Sequence, residues 1–369
     1  MIFNAFSPLM RLAGVRGLTR DMLLAMDPET AHQSTITALK LGLVPGQQEN
    51  DPPALGLEMA GLHFKNPVGM AAGFDKNAEV PGALGNIGFG MVEVGTLTPR
   101  PQSGNPKPRL FRIAKAGGVI NRMGFNNEGH EAALRRLEGH RTSATLGINV
   151  GANKDSTDFV SDYVLGVKRF APLADYLTVN ISSPNTPGLR NLQSDEALKR
   201  LLGEVLSERA RAQNRVPVFL KIAPDLNESE LDAIAKVIGE TDLDGLIVSN
   251  TTIGRDPVAG LEHAEEAGGL SGKPLFNLAT MKLAQMRQRV GDLPIIGVGG
   301  IHSADSAVAK FAAGANAIQL YSALVFGGME LLEEIKSGLM TTIRDGGHDS
   351  VAGLTGTAVD DWANGKLSL

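Results

Sequence analysis

The sequence predicts an α/β fold: a (β/α)8 TIM barrel with a small N-terminal helical cap. Three observations carry this. Short apolar runs alternate with helical segments eight times along the chain. The runs are apolar almost throughout, as strands covered on both faces are. Polar residues gather where the runs end, and a closed barrel brings such ends into one ring.

The cap comes first, over residues 1–45. Segment 1–20 carries Arg11, Arg16 and Arg20 and no acid, among apolar residues such as Leu9, Met10 and Leu12 at roughly helical spacing. Asp27, Pro28 and Glu29 form a helix start: a side-chain cap, a proline in the first turn and an acid near the positive helix end. That helix is expected to run to about Leu41 and stop at Gly42. A helical pair of this kind packs over one end of the main domain, faces lipid with its arginines at anionic headgroups, or does both. Residues 45–53, PGQQENDPP, are a linker. The barrel is assigned to residues 46–369.

Candidate strands lie at 67–71, 91–96, 145–150, 176–181, 215–221, 244–250, 294–299 and 317–321. Candidate helices lie at 77–87, 127–138, 156–169, 193–213, 228–240, 276–290, 303–313 and 329–343. Eight such units in about 280 residues suit a closed barrel. An open doubly wound sheet usually carries an early glycine fingerprint, absent here. Segments 97–125 and 251–275 are long for connecting loops. The first is proline-rich; the second is expected to form a lid or a short hairpin.

Composition narrows the chemistry. The chain has no cysteine, which removes disulfides, thiolate nucleophiles, iron–sulfur clusters and cysteine-built zinc sites. Its seven histidines form no paired metal motif, so no metal is expected. A net charge of −5 without a long basic block argues against nucleic acid. No run reaches the roughly 18–20 apolar residues of a membrane span. The start, MIFNAFSPLMRLAG, lacks the order of a secretory signal, so the expected compartment is the cytoplasm.

Three local signals carry chemistry. Gly297 to Ile301, followed by a helix and close to the eighth run's end at Tyr321 and Ser322, is an anion cradle in the place where barrels bind phosphate. A sugar phosphate, a nucleotide or a flavin phosphate satisfies it equally. Asn180-Ile181-Ser182-Ser183-Pro184-Asn185-Thr186 sets hydroxyls between amides that both donate and accept. A free serine is a poor base, so proton transfer there needs help from a neighbour or a water. Lys76 and Lys221 stand at strand mouths, where a lysine calls for an anion. The anion is either a ligand or a neighbour, Asp75 or Asp225.

Several ordered motifs go further: AAGFDK (71–76), GTLTPRPQ (95–102), NRMGF (121–125), NISSPNTPG (180–188), KIAPD (221–225), SNTT (249–252), GLSG (269–272) and GVGGI (297–301). With these the chain resembles the class 2, quinone-linked dihydroorotate dehydrogenases of pyrimidine biosynthesis, over nearly its whole length. The resemblance implies one FMN per chain, held by Ala72, Gly73, Phe74, Asp75, Lys76, Thr96, Asn149, Asn180, Lys221, Ser249, Gly272, Gly299, Gly300, Tyr321 and Ser322. It implies dihydroorotate bound by Lys76, Asn121, Arg122, Met123, Gly124, Phe125, Asn180, Asn185, Asn250 and Thr251, with Ser183 as the base for the C5 proton. A hydride would then pass from C6 to the flavin, giving orotate. Ubiquinone or menaquinone would reoxidise it through a site that includes His32 and Arg112, under a cap touching the cytoplasmic side of the cell membrane. A peripheral monomer is expected. The soluble class 1 branch has cysteine at the position of Ser183, and this chain has none. Phe74 stands where leucine is common and Ser249 where threonine is. The alternatives are another FMN-dependent barrel oxidoreductase using NAD(P), fumarate or oxygen, and a non-catalytic barrel.

Overall fold

The computed structural model describes residues 20–47 and 50–369. Eight parallel strands close into a barrel in chain order. They are β1 (Val68–Met70), β2 (Met91–Leu97), β3 (Thr145–Val150), β4 (Tyr176–Asn180), β5 (Val218–Ile222), β6 (Gly245–Val248), β7 (Ile295–Val298) and β8 (Ala317–Leu320). Each falls on one of the eight predicted runs. The fifth starts later than expected because Pro217 has no N–H for the ladder.

The predicted helices lie between the strands, with one instructive shift. The first begins at Pro81, not at residue 77. The Asp75 carboxylate collects the backbone N–H groups of Asn77, Glu79 and Val80 at 3.4, 2.8 and 2.8 Å. That side chain turns the segment into a tight loop, and Pro81 then takes the first helical position.

Alternation along the strands sorts the side chains. Val92, Val94, Ile148 and Leu177 face outward into the main core beneath the helices. Met91, Tyr176, Phe219, Ile247 and Ile296 face inward and pack with Met59 and Phe64. Those two come from an antiparallel hairpin, Leu57–Met59 with Leu62–Phe64, which the sequence reading did not anticipate. The hairpin therefore closes the N-terminal end of the barrel. Gly147 makes room in this layer: a Cβ there would lie 2.2 Å from Tyr176 Cζ.

The two long excursions pair with each other. Leu110–Ile113, Gly118–Asn121 and Gly269–Gly272 form a three-stranded antiparallel sheet over the opposite end. Segment 251–275 contributes one strand to this shared sheet, and within the segment Thr252 bridges Leu270 antiparallel, as a short hairpin would. The cap sits beside it. Residues 20–25 are helical, and the second cap helix spans Pro28–Lys40 with Asp27 accepting from Thr30 N–H at 2.9 Å. Its end at Leu41 and Gly42 agrees with the prediction. The readings on residues 1–19 lie outside the described residues.

Two arginines of the sheet fasten the cap. Arg109 forms a buried ion pair with Glu29 at 2.7 Å. Arg112 donates to the carbonyls of Leu23, Leu24 and Met26 at 3.1, 3.1 and 2.7 Å, satisfying the open end of the first cap helix. Removing one partner of a buried pair costs about 3–5 kcal/mol, so this docking is specific.

One buried cation serves no such purpose. Lys310, on helix Ala304–Ala312, is fully buried, and its Nζ has no hydrogen-bond partner among the described residues. Burial pulls its ammonium well below the usual lysine range. Between that lowered value and the unfolded value near 10.5 the unfolded chain binds the extra proton, so stability rises with pH across this window. Lys310→Met is expected to raise the thermal midpoint at pH 7 and to flatten its rise with pH. The wild type should lose its disadvantage by up to about 1.4 kcal/mol per pH unit in the window. Scanning fluorimetry at pH 7 and 9 measures both; a variant that melts lower at both values would refute the account.

Candidate active site

The strand ends converge at the covered end of the barrel. Thr96, Asn180, Lys221, Ser249 and Gln319 stand on the inner wall, and the turns after the strands add Lys76, Ser183, Asn250, Gly300 and Tyr321. These residues line a single cavity of about 1000 Å³. The three-stranded sheet supplies Asn121, Ser271 and Gly272, and the turn beyond supplies Met123, Gly124 and Phe125. The cavity continues between the cap helices, past Leu24, Ala31, His32, Thr35 and Arg112.

Three predicted residues do not line it. Asp75 is fully buried and spends its carboxylate on the turn already described, which aims Lys76 at the cavity. Asn149 lies one step deeper, behind Thr96 and Asn180. Arg122 points away: it pairs with Glu266 at 2.6 Å, donates to Pro108 O at 2.9 Å and lies 4.5 Å above the Phe111 ring. It braces the loop whose other members, Asn121 and Met123 to Phe125, face the cavity.

The amides form a connected ladder. Asn180 Nδ2 donates to Thr96 Oγ1 at 3.1 Å, and Thr96 in turn donates to Asn149 Oδ1 at 2.6 Å. Asn180 Oδ1 accepts from Ser182 Oγ at 2.8 Å, and Ser182 Oγ accepts from Asn250 Nδ2 at 2.9 Å. Asn185 Nδ2 reaches Asn121 O at 3.1 Å, tying the serine loop to the sheet. Ser183 Oγ accepts the Asn185 N–H at 3.2 Å.

The loop after β4 is held by a residue that sequence reasoning missed. Arg190 donates to Ser182 O at 3.1 Å and Thr251 O at 3.2 Å, and pairs with Asp225 at 2.9 Å. Nothing in the local pattern distinguished it from an ordinary helix-start arginine. Asp225 is further occupied by Thr252 and the Ile253 N–H, so it is no partner for Lys221. Glu93 and Gln319 were also missed. Their signal was available: one polar residue at an inward register of an otherwise apolar strand.

Lys76 and Lys221 form no ion pair among the described residues. Burial pulls both below the usual range, Lys76 to about 8. His32 is pushed down to about 3, first by burial and then by the charge of Lys76, so it is neutral at physiological pH. Its Nδ1 lies 3.3 Å from Tyr321 Oη, and its ring meets Phe74 edge-on at 5.4 Å. Gly272, Gly299 and Gly300 give the wall beside Tyr321 and Ser322 a side-chain-free backbone. Gly300 has φ 79°, and a Cβ on it would lie 2.2 Å from Phe276 Cα. The arrangement thus offers an anion cradle, two uncompensated cations, a set of amides and one apolar opening.

Comparison with known proteins gives a consistent picture. The family model described as dihydroorotate dehydrogenase matches residues 54–343. A protein of Rhizobium rhizogenes named dihydroorotate dehydrogenase (quinone) is 53% identical over 361 residues, covering 96% of this chain and 100% of that one. One of the same name from Brucella melitensis is 55% identical over 356 residues, covering 95% and 98%. Among solved structures, ligand-free DHODH from Eimeria tenella superposes with a TM-score of 0.87 at 40% identity, covering 90% of this chain and 99% of that one. The same protein in complex with ferulenol gives 0.86, with 90% and 95% covered.

The electrostatics of Lys76 are directly measurable. With the cavity free of ligand, its ammonium is expected to titrate near 8, seen by NMR of lysine labelled at Cε. A carboxylate ligand should raise that midpoint, and its affinity should weaken about tenfold per pH unit above 8. A midpoint near 10.5 with no shift on binding would remove Lys76 from anion recognition.

Proposed function

The chain belongs to the dihydroorotate dehydrogenase family, and from that premise we propose a quinone-linked enzyme that oxidises (S)-dihydroorotate to orotate in pyrimidine biosynthesis. The observation that carries the reading is the continuity of one cavity, from the ring of amides and lysines to the apolar gap between the cap helices. A polar reductant and a lipid-soluble oxidant need such unlike ends on a single site.

FMN is the cofactor that the residues fit, one per chain. Gly272, Gly299, Gly300 and Ser322 would cradle its phosphate, since side-chain-free backbone there admits an anion closely. Lys221 would face its pyrimidine ring, with Ala72, Gly73, Thr96, Asn180, Ser249 and Tyr321 around it. A bound FMN supplies the acceptor for the C6 hydride and hands both electrons on to a quinone. Asp75 and Asn149 act behind this shell, through the Lys76 turn and the amide ladder.

Dihydroorotate is a cyclic imide-amide ring with a carboxylate on its saturated C6. Asn121, Asn180, Asn185 and Asn250 offer matching donors and acceptors, and Lys76 offers the cation. Thr251, Met123, Gly124 and Phe125 would close the site around it, and Arg122 braces their loop. Ser183 takes the C5 proton, and its own proton leaves to water. The Asn185 N–H donated to Oγ at 3.2 Å favours the negative charge that builds there.

The quinone, ubiquinone or menaquinone, would enter between the cap helices. A neutral His32 suits an uncharged oxidant. Arg112 keeps a buried Nε without a partner among the described residues, beside the same opening. Among the described residues no helix is long and apolar enough to cross a membrane. Met22, Leu41 and Leu43 are exposed on the cap by 63%, 57% and 38%, which supports peripheral contact with the cytoplasmic side of the cell membrane. In this reading residues 1–45 are the quinone- and membrane-facing part of a monomer, and residues 46–369 the FMN-binding barrel.

Three experiments test the assignment. Ser183→Ala should retain its flavin but slow anaerobic flavin reduction by dihydroorotate about 10²- to 10⁴-fold in stopped flow; an undiminished rate would clear Ser183 of its role. Removing residues 1–41 should abolish reoxidation by quinone while dihydroorotate still bleaches the flavin. Mixing the reduced enzyme with quinone, fumarate, NAD⁺ or oxygen compares the acceptors. Faster reoxidation by fumarate or NAD⁺ than by quinone would displace the quinone reading.

A further inference from the structure

The barrel buries a carboxylate below the site that the proposed chemistry does not use. Glu93 lies at an inward position of β2, between two outward valines, and is fully buried. Its Oε1 accepts from Asn149 Nδ2 at 2.7 Å. Its Oε2 accepts from Gln319 Nε2 at 2.9 Å and from Tyr176 Oη at 3.1 Å. A carboxylate anion accepts hydrogen bonds and donates none, so each neighbour must turn a donor toward it.

That demand propagates upward. The two ends of an asparagine amide are nearly alike in shape, and only the hydrogen-bond network decides which end points where. With Nδ2 committed to Glu93, Asn149 presents Oδ1 toward the cavity side, where it accepts from Thr96 Oγ1 at 2.6 Å and Asn180 Nδ2 at 3.3 Å. Asn180 is then left with Oδ1 for Ser182 Oγ at 2.8 Å, and Ser182 with a lone pair for Asn250 Nδ2 at 2.9 Å. Every donor in the series points back toward Glu93. Reversing Asn149 would oppose two oxygens at one end and two donors at the other, at a cost comparable to leaving buried polar groups unpaired.

We propose that Glu93 is a positioning residue: through Asn149 its carboxylate fixes which ends of Asn180 and Asn250 are offered to the ligand in the cavity. The inference deepens the dihydroorotate reading and rests on it for the ligand's identity. A cyclic imide alternates N–H and C=O along its edge, so a reversed amide meets it donor to donor. Lys221, whose ammonium is drawn down by burial, has Glu93 as the charge acting in the opposite sense. Gln319 both touches Glu93 and lines the cavity, and its Oε1 is buried without a partner among the described residues. It could therefore rotate to accept, which offers a second place for the same charge.

The test uses flavin-loaded wild type, Glu93→Gln and the exchange Glu93→Gln/Gln319→Glu. Neutron diffraction locates the deuterons on Asn149 and Asn180. The wild type should show Asn149 Nδ2 facing residue 93, and Glu93→Gln should show that amide mixed or reversed. Orotate titrated against flavin absorbance should bind Glu93→Gln about tenfold more weakly, and the exchange should recover affinity to within about threefold of wild type. A buried group needed only for packing would not be rescued by moving its charge to a strand two places round the barrel. An unchanged Asn149 in Glu93→Gln, orotate affinity within about twofold of wild type, or an exchange no better than the single variant would each overturn the proposal. Failure of wild type itself to bind orotate would instead overturn the substrate reading, and the neutron result would still decide the orientation.

Discussion

Closure of the barrel is the constraint on which everything else depends. Eight parallel strands pair in chain order with no free edge, so the register of each is set by both neighbours. Register decides which residues face inward, and a shift by one position would exchange the inner and outer sets. Outward Val92 and Val94 belong under helices, while inward Met91 and Glu93 belong in the barrel. The apolar layer closed by Met59 and Phe64 keeps water out from below. Above it, a polar layer can exist only because each member finds a partner or faces the cavity.

The opposite end is closed by different means. There the sheet built from the two excursions carries Arg109 and Arg112 to the cap. Both hold main-chain or carboxylate oxygens with several hydrogen bonds, which is what a guanidinium does better than an ammonium. These oriented polar contacts add to the apolar packing of Ile36 and Leu39, which join the main core. Among the described residues of the cap, Met22, Leu41 and Leu43 are exposed.

Much of this was legible in the sequence. Strand runs and strand-end polarity announced the barrel, because period and composition report burial directly. The cap helix was legible from Asp27, Pro28 and Glu29, since capping is local chemistry. The residues lining the cavity were recovered largely through the ordered motifs. What stayed hidden was non-local. The pairing of residues 118–121 with 269–272 joins segments about 150 positions apart, and no local pattern encodes such a partner. Asp75, Asn149 and Arg122 carried the right motifs, yet only the fold shows that their side chains stand outside the cavity lining. Arg190 looked ordinary because its partners, Ser182, Asp225 and Thr251, come from three separate loops.

The cap and the substrate end of the site are also linked electrostatically. The lowered ammonium of Lys76 responds first to burial, then to Glu29 and Arg109 with opposite signs, and then to Asp75. Glu29 and Arg109 are the pair that docks the cap. Their effects on Lys76 oppose one another. Either member alone would be felt, because a buried site screens charge weakly. The pair fixes the cap's position through a buried, oriented contact. Lys76 has no ion-pair partner among the described residues, so its ammonium stays responsive to any charge that enters the cavity.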